Sequence, residues 1–290
     1  MKESAEINTI KFIKTYANKK YLGNSVSFVL LAIGSIIMLI PIFWMLSTAF
    51  KESGQIWSVP PVWIPIPAVL DNFRDVFEIL PVDKLFCNSV LVSVITTIIQ
   101  LITSCMGAYA FARLNFRGKN LIFLFFMASM MIPRYILTIP LFLIFNQLKL
   151  GNTMPALILP GCVSAFSIFL LRQFIEELPA EFDEAATIDG ASRWKILFRI
   201  IIPLAKPGIM TLIIFAFMNV WNDFFWPLVI INDTEKMTLQ VGMAFYMGAK
   251  KVEWGPIMAL ASCCSVPIML LYLFAQKSFM AGITAGGVKG

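Results

Sequence analysis

Residues 177–207 read ELPAEFDEAATIDGASRWKILFRIIIPLAKP, a polar run set between two very apolar segments. By Asp189 it has used 5 of the chain's 17 acidic residues: Glu177, Glu181, Asp183, Glu184 and Asp189. Pro179 suits the first turn of a helix, where acidic side chains complement the helix dipole. Gly190 suits its end, because glycine adopts the left-handed backbone at little cost. The pattern therefore predicts a short helix over 180–189. On it Phe182, Ala185, Ala186 and Asp189 fall at i, i+3, i+4 and i+7, which puts an aromatic knob and two small residues on one face. A second helix is expected from Ser192 through WKILFRIII to Pro203, with its Arg and Lys at the membrane interface and its aliphatic residues in lipid. From these residues alone, a docking loop and an amphipathic connector resting on the membrane are equally good readings.

The flanking segments decide the class. The 290 residues are 59% hydrophobic and only 14% charged, and the mean hydropathy is +0.80. Those values lie far outside the soluble range. Apolar runs at about 27–50, 85–112, 121–145, 156–171, 208–231 and 256–274 are long enough for helices crossing a hydrocarbon core of ~30 Å. Isolated strands cannot satisfy their backbone groups in lipid. The expected fold is an all-α membrane protein of six transmembrane helices. Residues 1–26 form an N-terminal segment before the first helix at 27–50. A loop over 51–84 leads to a core of five helices at 85–277, and a tail at 278–290 closes the chain. The first apolar run is too long for a cleaved signal peptide and lacks a small-residue cleavage site, so it reads as a retained anchor helix.

The chain has no His, which removes the commonest general base and the easiest zinc ligand. No metal-ligand set and no catalytic residues stand out, and an enzyme is not expected. Cys87, Cys105, Cys162, Cys263 and Cys264 lack CxxC spacing and read as small buried hydrophobes. The net charge of +6 is scattered between spans and gathers on no soluble face, so nucleic acid is not an expected partner. With the N-terminus inside, 15 of the 23 Lys and Arg fall in inner segments. The positive-inside rule thus places both termini and residues 177–207 in the cytoplasm and 51–84 outside.

Several polar residues within the spans need a reason. Pro133 and Pro140 interrupt the third span and predict a kinked or broken helix. Between them Arg134 either snorkels to the outer interface or faces a wet cavity. Trp221, Asn222 and Asp223 in the fifth span offer the aromatic face, amide and carboxylate that hold sugars. They serve equally as helix-packing groups, with Trp221 and Trp226 in an interfacial aromatic belt. Asn88 is a further pathway candidate, and with Ser89 it can also cap the start of the second span. An ion-coupled carrier or channel would have to work through Arg134 and Asp223. No internal repeat is evident, which disfavours an inverted-repeat carrier.

Glu184-Ala185-Ala186, then Gly190, Ile200 and Ile202-Pro203 resemble the EAA loop of integral membrane permease subunits of ABC importers, with Ile202 where that pattern has Leu. The resemblance runs from about residue 71 to 290. It includes DNFRDVF, FCNSVLVSV, AYAFARLNFRGK, MIPRYILTIPLF, LGNTMPALILP, WNDFFWPLV and GITAGGVKG, and it is to the carbohydrate-uptake, maltose-type second permease. It implies the type I ABC importer permease fold, a second homologous permease, two cytoplasmic ATPases and an extracytoplasmic sugar-binding protein. Carried over, Glu184, Ala185, Ala186, Asp189 and Gly190 would sit in a cleft on the ATPase, with Phe182 on the same helix, and residues 282–290 would reach between the ATPases. The chain has no GxxxxGK[ST] loop, so no cofactor is expected on it, and ATP and Mg belong to the partner ATPase.

Overall fold

The computed structural model describes residues 27–249 and 253–287. The N-terminal segment 1–26 and the last three residues of the tail lie outside the described residues. The described residues are helical and contain no strand. Four helical segments are long and apolar enough to cross a membrane, one of them interrupted at 222–224, and two bent pairs complete six spans.

The first span, α1 (Ser27–Ala49), has an apolar window with none of its residues buried by the rest of the chain. A short helix, α2 (Asp71–Ile79), precedes α3 (Val82–Arg113). The expected start of this second span is corrected: Asn88 and Ser89 do not cap it. Pro81 takes the N-cap position and α3 begins at Val82, with no side-chain cap. At 32 residues, α3 spans ~48 Å at 1.5 Å per residue and outruns the hydrocarbon core. It is also the helix around which the others pack. Ser89, Ser93, Thr96, Thr97, Gln100 and Ser104 are buried along it, so small polar residues let neighbouring backbones approach. Gln100 Nε2 donates to Ser167 Oγ at 2.6 Å and Thr103 Oγ1 to the Cys162 carbonyl at 2.7 Å.

The third span is broken. α4 (Lys119–Ser129) ends before Pro133, and the chain resumes at Arg134 into α5 (Thr138–Gln147), with the two parts bent by 91°. The fourth is α6 (Met154–Ile158), extended to Gly161, and α7 (Ala165–Glu176), bent by 41°. Then come α8 (Glu181–Ile188) and α9 (Arg193–Ile196), which continues through a π-helical turn at Leu197–Ile201 to a last turn at Ile202–Leu204. The fifth span is α10 (Lys206–Trp221), followed after a break by α11 (Phe225–Ile230). α12 (Leu239–Ala249) leads to α13 (Trp254–Gly287), which carries the tail on as helix beyond the expected end of the sixth span.

The buried apolar side chains form two clusters. One gathers Leu85, Val92, Trp221, Trp226, Ile230 and Leu260. The other gathers Tyr109, Leu171, Ile196, Leu197, Ile201 and Leu212, with Ala186 of α8 among them. The aliphatic residues of α9 were expected in lipid. Ile196, Leu197 and Ile201 are instead buried against α3, α7 and α10, because a protein surface is available to that face before lipid is. The cysteines divide: Cys105 and Cys264 are buried, Cys162 and Cys263 are partly so, and Cys87 is exposed on the flank of α3 turned away from the core. The expectation of five buried thiols is corrected to that extent.

Candidate functional site

α8 stands out from the spans. Its first turn carries Glu181, Asp183 and Glu184, the placement that the helix dipole favours. Its C-terminus closes as a Schellman motif: the Ala191 N–H donates to the Ala186 carbonyl at 2.9 Å and the Gly190 N–H to that of Thr187 at 3.1 Å. Gly190 has φ +73° and a Cβ there would meet nothing within 4 Å. The backbone conformation, and not crowding, calls for glycine. Two residues on, the Ser192 hydroxyl caps α9 by accepting from the Lys195 N–H at 3.3 Å.

The face α8 turns outward differs from the expected one by one residue lost and one gained. Phe182, Glu184, Ala185, Ile188, Asp189 and Gly190 are exposed, whereas Asp183 and Ala186 are buried. Ala186 thus packs inward and leaves the expected docking face. Ile188, which the sequence pattern did not single out, joins that face and is among its most exposed side chains.

α8 is held to the spans by Arg113, the last residue of α3. Its Nε lies 3.2 Å from Asp183 Oδ2, and its Nη2 donates to the Leu178 carbonyl at 2.5 Å. The contact with Asp183 is a close charge pair without hydrogen-bond alignment. Beside it, Arg113, Asp183, Glu184, Thr187, Ile188 and Arg193 line a surface hollow of about 420 Å³. Sequence reading counted Arg113 only as an inner positive charge. The available signal was its place in the last turn of a long apolar span.

The second group of functional candidates lies where two spans break. Arg134 Nη2 donates to Asp223 Oδ2 at 2.8 Å. Arg134 opens the segment after the break in the third span, and Asp223 sits between α10 and α11. Asp223 Oδ1 also accepts from the Trp226 N–H at 3.5 Å. Two cavities of about 380 and 470 Å³ share this pair. Tyr135 and Phe225 meet edge to face at their rim with ring centroids 5.2 Å apart, and Asn219 and Asn222 line the larger one. An exposed cation at a helix break would be costly against lipid, so this face is suited to a polar pathway or a partner.

The other pathway candidates, Trp221 and Asn88, line neither cavity. Trp221 is fully buried, and its indole N–H donates to the Cys264 carbonyl at 3.0 Å. Trp226 is likewise buried and donates to the Ala156 carbonyl at 2.9 Å. The two indoles therefore make no interfacial belt. Asn88 Nδ2 donates to the carbonyls of Glu235 at 2.8 Å and Met237 at 3.0 Å, while Ser89 Oγ accepts from the Leu239 N–H at 2.7 Å. Both side chains fasten the loop before α12 to α3.

A chain of six spans that fastens an exposed acidic helix to the end of its second span, with a polar break inside, has the build of a multi-pass transport permease. Residues 101–284 match the binding-protein-dependent transport system inner membrane component family, and the chain belongs to it. It is 33% identical over 277 residues to the inner membrane ABC transporter permease protein YcjP of Escherichia coli (strain K12), covering 94% of this chain and 99% of that one. It is 35% identical over 257 residues to the arabinooligosaccharides transport system permease protein AraQ of Halalkalibacterium halodurans, covering 88% and 92%. A solved chain of a bacterial ABC transporter involved in the import of the acidic polysaccharide alginate shares the fold with a TM-score of 0.78. That match has 26% identity and covers 89% of this chain and 96% of that chain.

Proposed function

We propose that this chain forms half of the translocation pathway of an ATP-driven saccharide importer and receives its drive through α8. The observation that carries the reading is the build of α8: an exposed face of Phe182, Glu184, Ala185, Ile188 and Asp189 on a helix fastened by Arg113 to the end of α3. A push on that face moves a span. In this reading a second homologous permease completes the pathway, two ATPases hold ATP and Mg, and an extracytoplasmic binding protein delivers the sugar. The chain itself hydrolyses nothing. Both termini and α8 lie in the cytoplasm, as the distribution of Lys and Arg favours. Asn222 and Asp223 are the pathway contacts we retain, with Arg134 beside them, while Trp221 and Asn88 serve packing. The names of relatives that carry arabinooligosaccharides and alginate support a saccharide cargo.

The ion-coupled alternative would need free charges within the spans. Arg134 and Asp223 are bound to each other, which removes the observation that favoured it. A photo-crosslinking phenylalanine analogue at position 182 tests the docking face in membranes that hold the assembled transporter. A crosslink to an ATPase subunit is the expected product. Absence of that crosslink, together with capture by lipid, would return α8 to the role of a membrane-resting connector.

A further inference from the structure

We propose that residues 53–70 form an anchor lying at the headgroup–acyl boundary of the bilayer, with Trp57, Val59, Ile64 and Ile66 in contact with lipid. The proposal rests on the membrane reading of α1, from whose end the segment departs. The stretch SGQIWSVPPVWIPIPAVL contains no Asp, Glu, Lys or Arg in 18 residues, between Glu52 and Asp71. A loop standing in water normally carries charge. Here Val59 is 94% exposed, Ile66 81% and Trp57 75%, with Ile64 and Leu70 also bare. A contiguous apolar patch of this kind marks a contact with membrane or protein.

The patch is imposed by a built scaffold. Ser47 Oγ donates to the Trp63 carbonyl, Gln55 Nε2 to that of Ile66 at 2.9 Å and Ser58 Oγ to that of Gln55 at 2.9 Å. The Val69 N–H donates to the Phe50 carbonyl at 2.9 Å. Asn72 Nδ2 closes the base by donating to the carbonyls of Ala49 at 3.0 Å and Lys51 at 2.8 Å. Polar groups thus turn inward and apolar ones outward, the reverse of a soluble loop.

The one cation at the junction follows the same rule. Lys51 is 0% exposed, with its ammonium 3.5 Å from the centroid of the Trp44 ring and 3.3 Å from Thr48 Oγ1. A lysine at the end of a span ordinarily snorkels to the headgroups; this one is folded under the loop, and burial pushes its pKa down. Trp63 stacks on Phe43 and meets Trp44 edge to face. The loop therefore folds back along the last turns of α1, at the level where Trp side chains favour the membrane interface. Continuity with the uncovered surface of α1 favours lipid over a soluble protein as the occupant.

Spin labels at Val59→Cys and Ile66→Cys, in a background lacking the exposed Cys87, test this in liposomes holding the full transporter. Ile37→Cys, midway along α1, and Glu78→Cys, on α2, serve as references. Both loop labels should relax more with oxygen than with a water-soluble nickel chelate, as at Ile37 and unlike Glu78, and adding the soluble binding protein should change neither. Access of the chelate to both loop labels, with Ile37 still in lipid, would overturn the anchor and leave the membrane reading intact. Exclusion of both reagents would overturn it too, by showing protein over the loop. Neither site carries packing, since both side chains are bare.

Discussion

Arg113 Nε lies 3.2 Å from Asp183 Oδ2, with the two side chains 13% and 12% exposed, and this pair joins the last turn of α3 to the first turn of α8. Removing one member leaves the other's charge nearly buried without a partner, which in such sites costs at the lower end of ~3–5 kcal/mol. Asp183→Ala and Arg113→Ala should each lower the melting temperature of the purified transporter. The double variant should lose less than the sum, with a coupling of roughly 0.5–3 kcal/mol. Strict additivity would show that the two residues do not act together.

The two adjacent alanines of α8 should respond in opposite ways. Ala185 is exposed and Ala186 is buried in the cluster with Leu171 and Ile196. Ala185→Arg should leave insertion and thermal stability unchanged while reducing recovery of the ATPase with the permease. Ala186→Leu should overpack the cluster at a cost of ~1–3 kcal/mol, read as a lower yield of assembled protein. Equal behaviour of the two would contradict the orientation of the helix.

Gly190 is required by its positive φ of +73°. Gly190→Ala should cost ~1 kcal/mol through that backbone conformation. Gly190→Pro cannot adopt the left-handed backbone and also loses the N–H that bonds to the Thr187 carbonyl. The proline variant should insert into the membrane yet abolish ATP-dependent uptake, whereas the alanine variant should retain most of it. Thermal unfolding and uptake measured side by side check the order.

Asp223→Asn should weaken the bond that ties the broken third span to the broken fifth span at 2.8 Å. We expect slower uptake with undiminished ATPase recovery, because α8 lies at the other cluster of buried residues. The reversed pair Arg134→Asp with Asp223→Arg separates two roles. Restored uptake would mean that the pair acts as a tie, and continued loss would mean that Asp223 itself meets the cargo. Unchanged uptake in Asp223→Asn would contradict both.

Much of this architecture was readable from the chain. Long apolar runs announce spans because lipid leaves few alternatives, and Pro133 and Pro140 marked the third as broken, although the 91° bend depends on packing. The short helix at Glu181–Ile188 followed from its acidic start and Gly190. Its facing did not, since a one-residue choice between Ala185 and Ala186 is set by contacts with α3 and α7. Long-range pairs were equally hidden. Arg134 and Asp223 are 89 positions apart, and Arg113 meets Asp183 only after the four helices α4 to α7 have folded back. Trp221 and Asn88 show the converse. Their residue types suited a sugar pathway, but their partners are the carbonyls of Cys264, Glu235 and Met237.

The central claim is that α8 is where the motor grips this chain, and Glu184→Lys tests it most directly. Glu184 is exposed and pairs with no group in the described residues that would explain a folding defect. The measurement is ATP-driven uptake, together with recovery of the ATPase, in membranes holding equal amounts of wild-type and Glu184→Lys permease. Loss of uptake with weakened ATPase recovery at undiminished insertion is the predicted result. Normal uptake and normal recovery in the variant would contradict it.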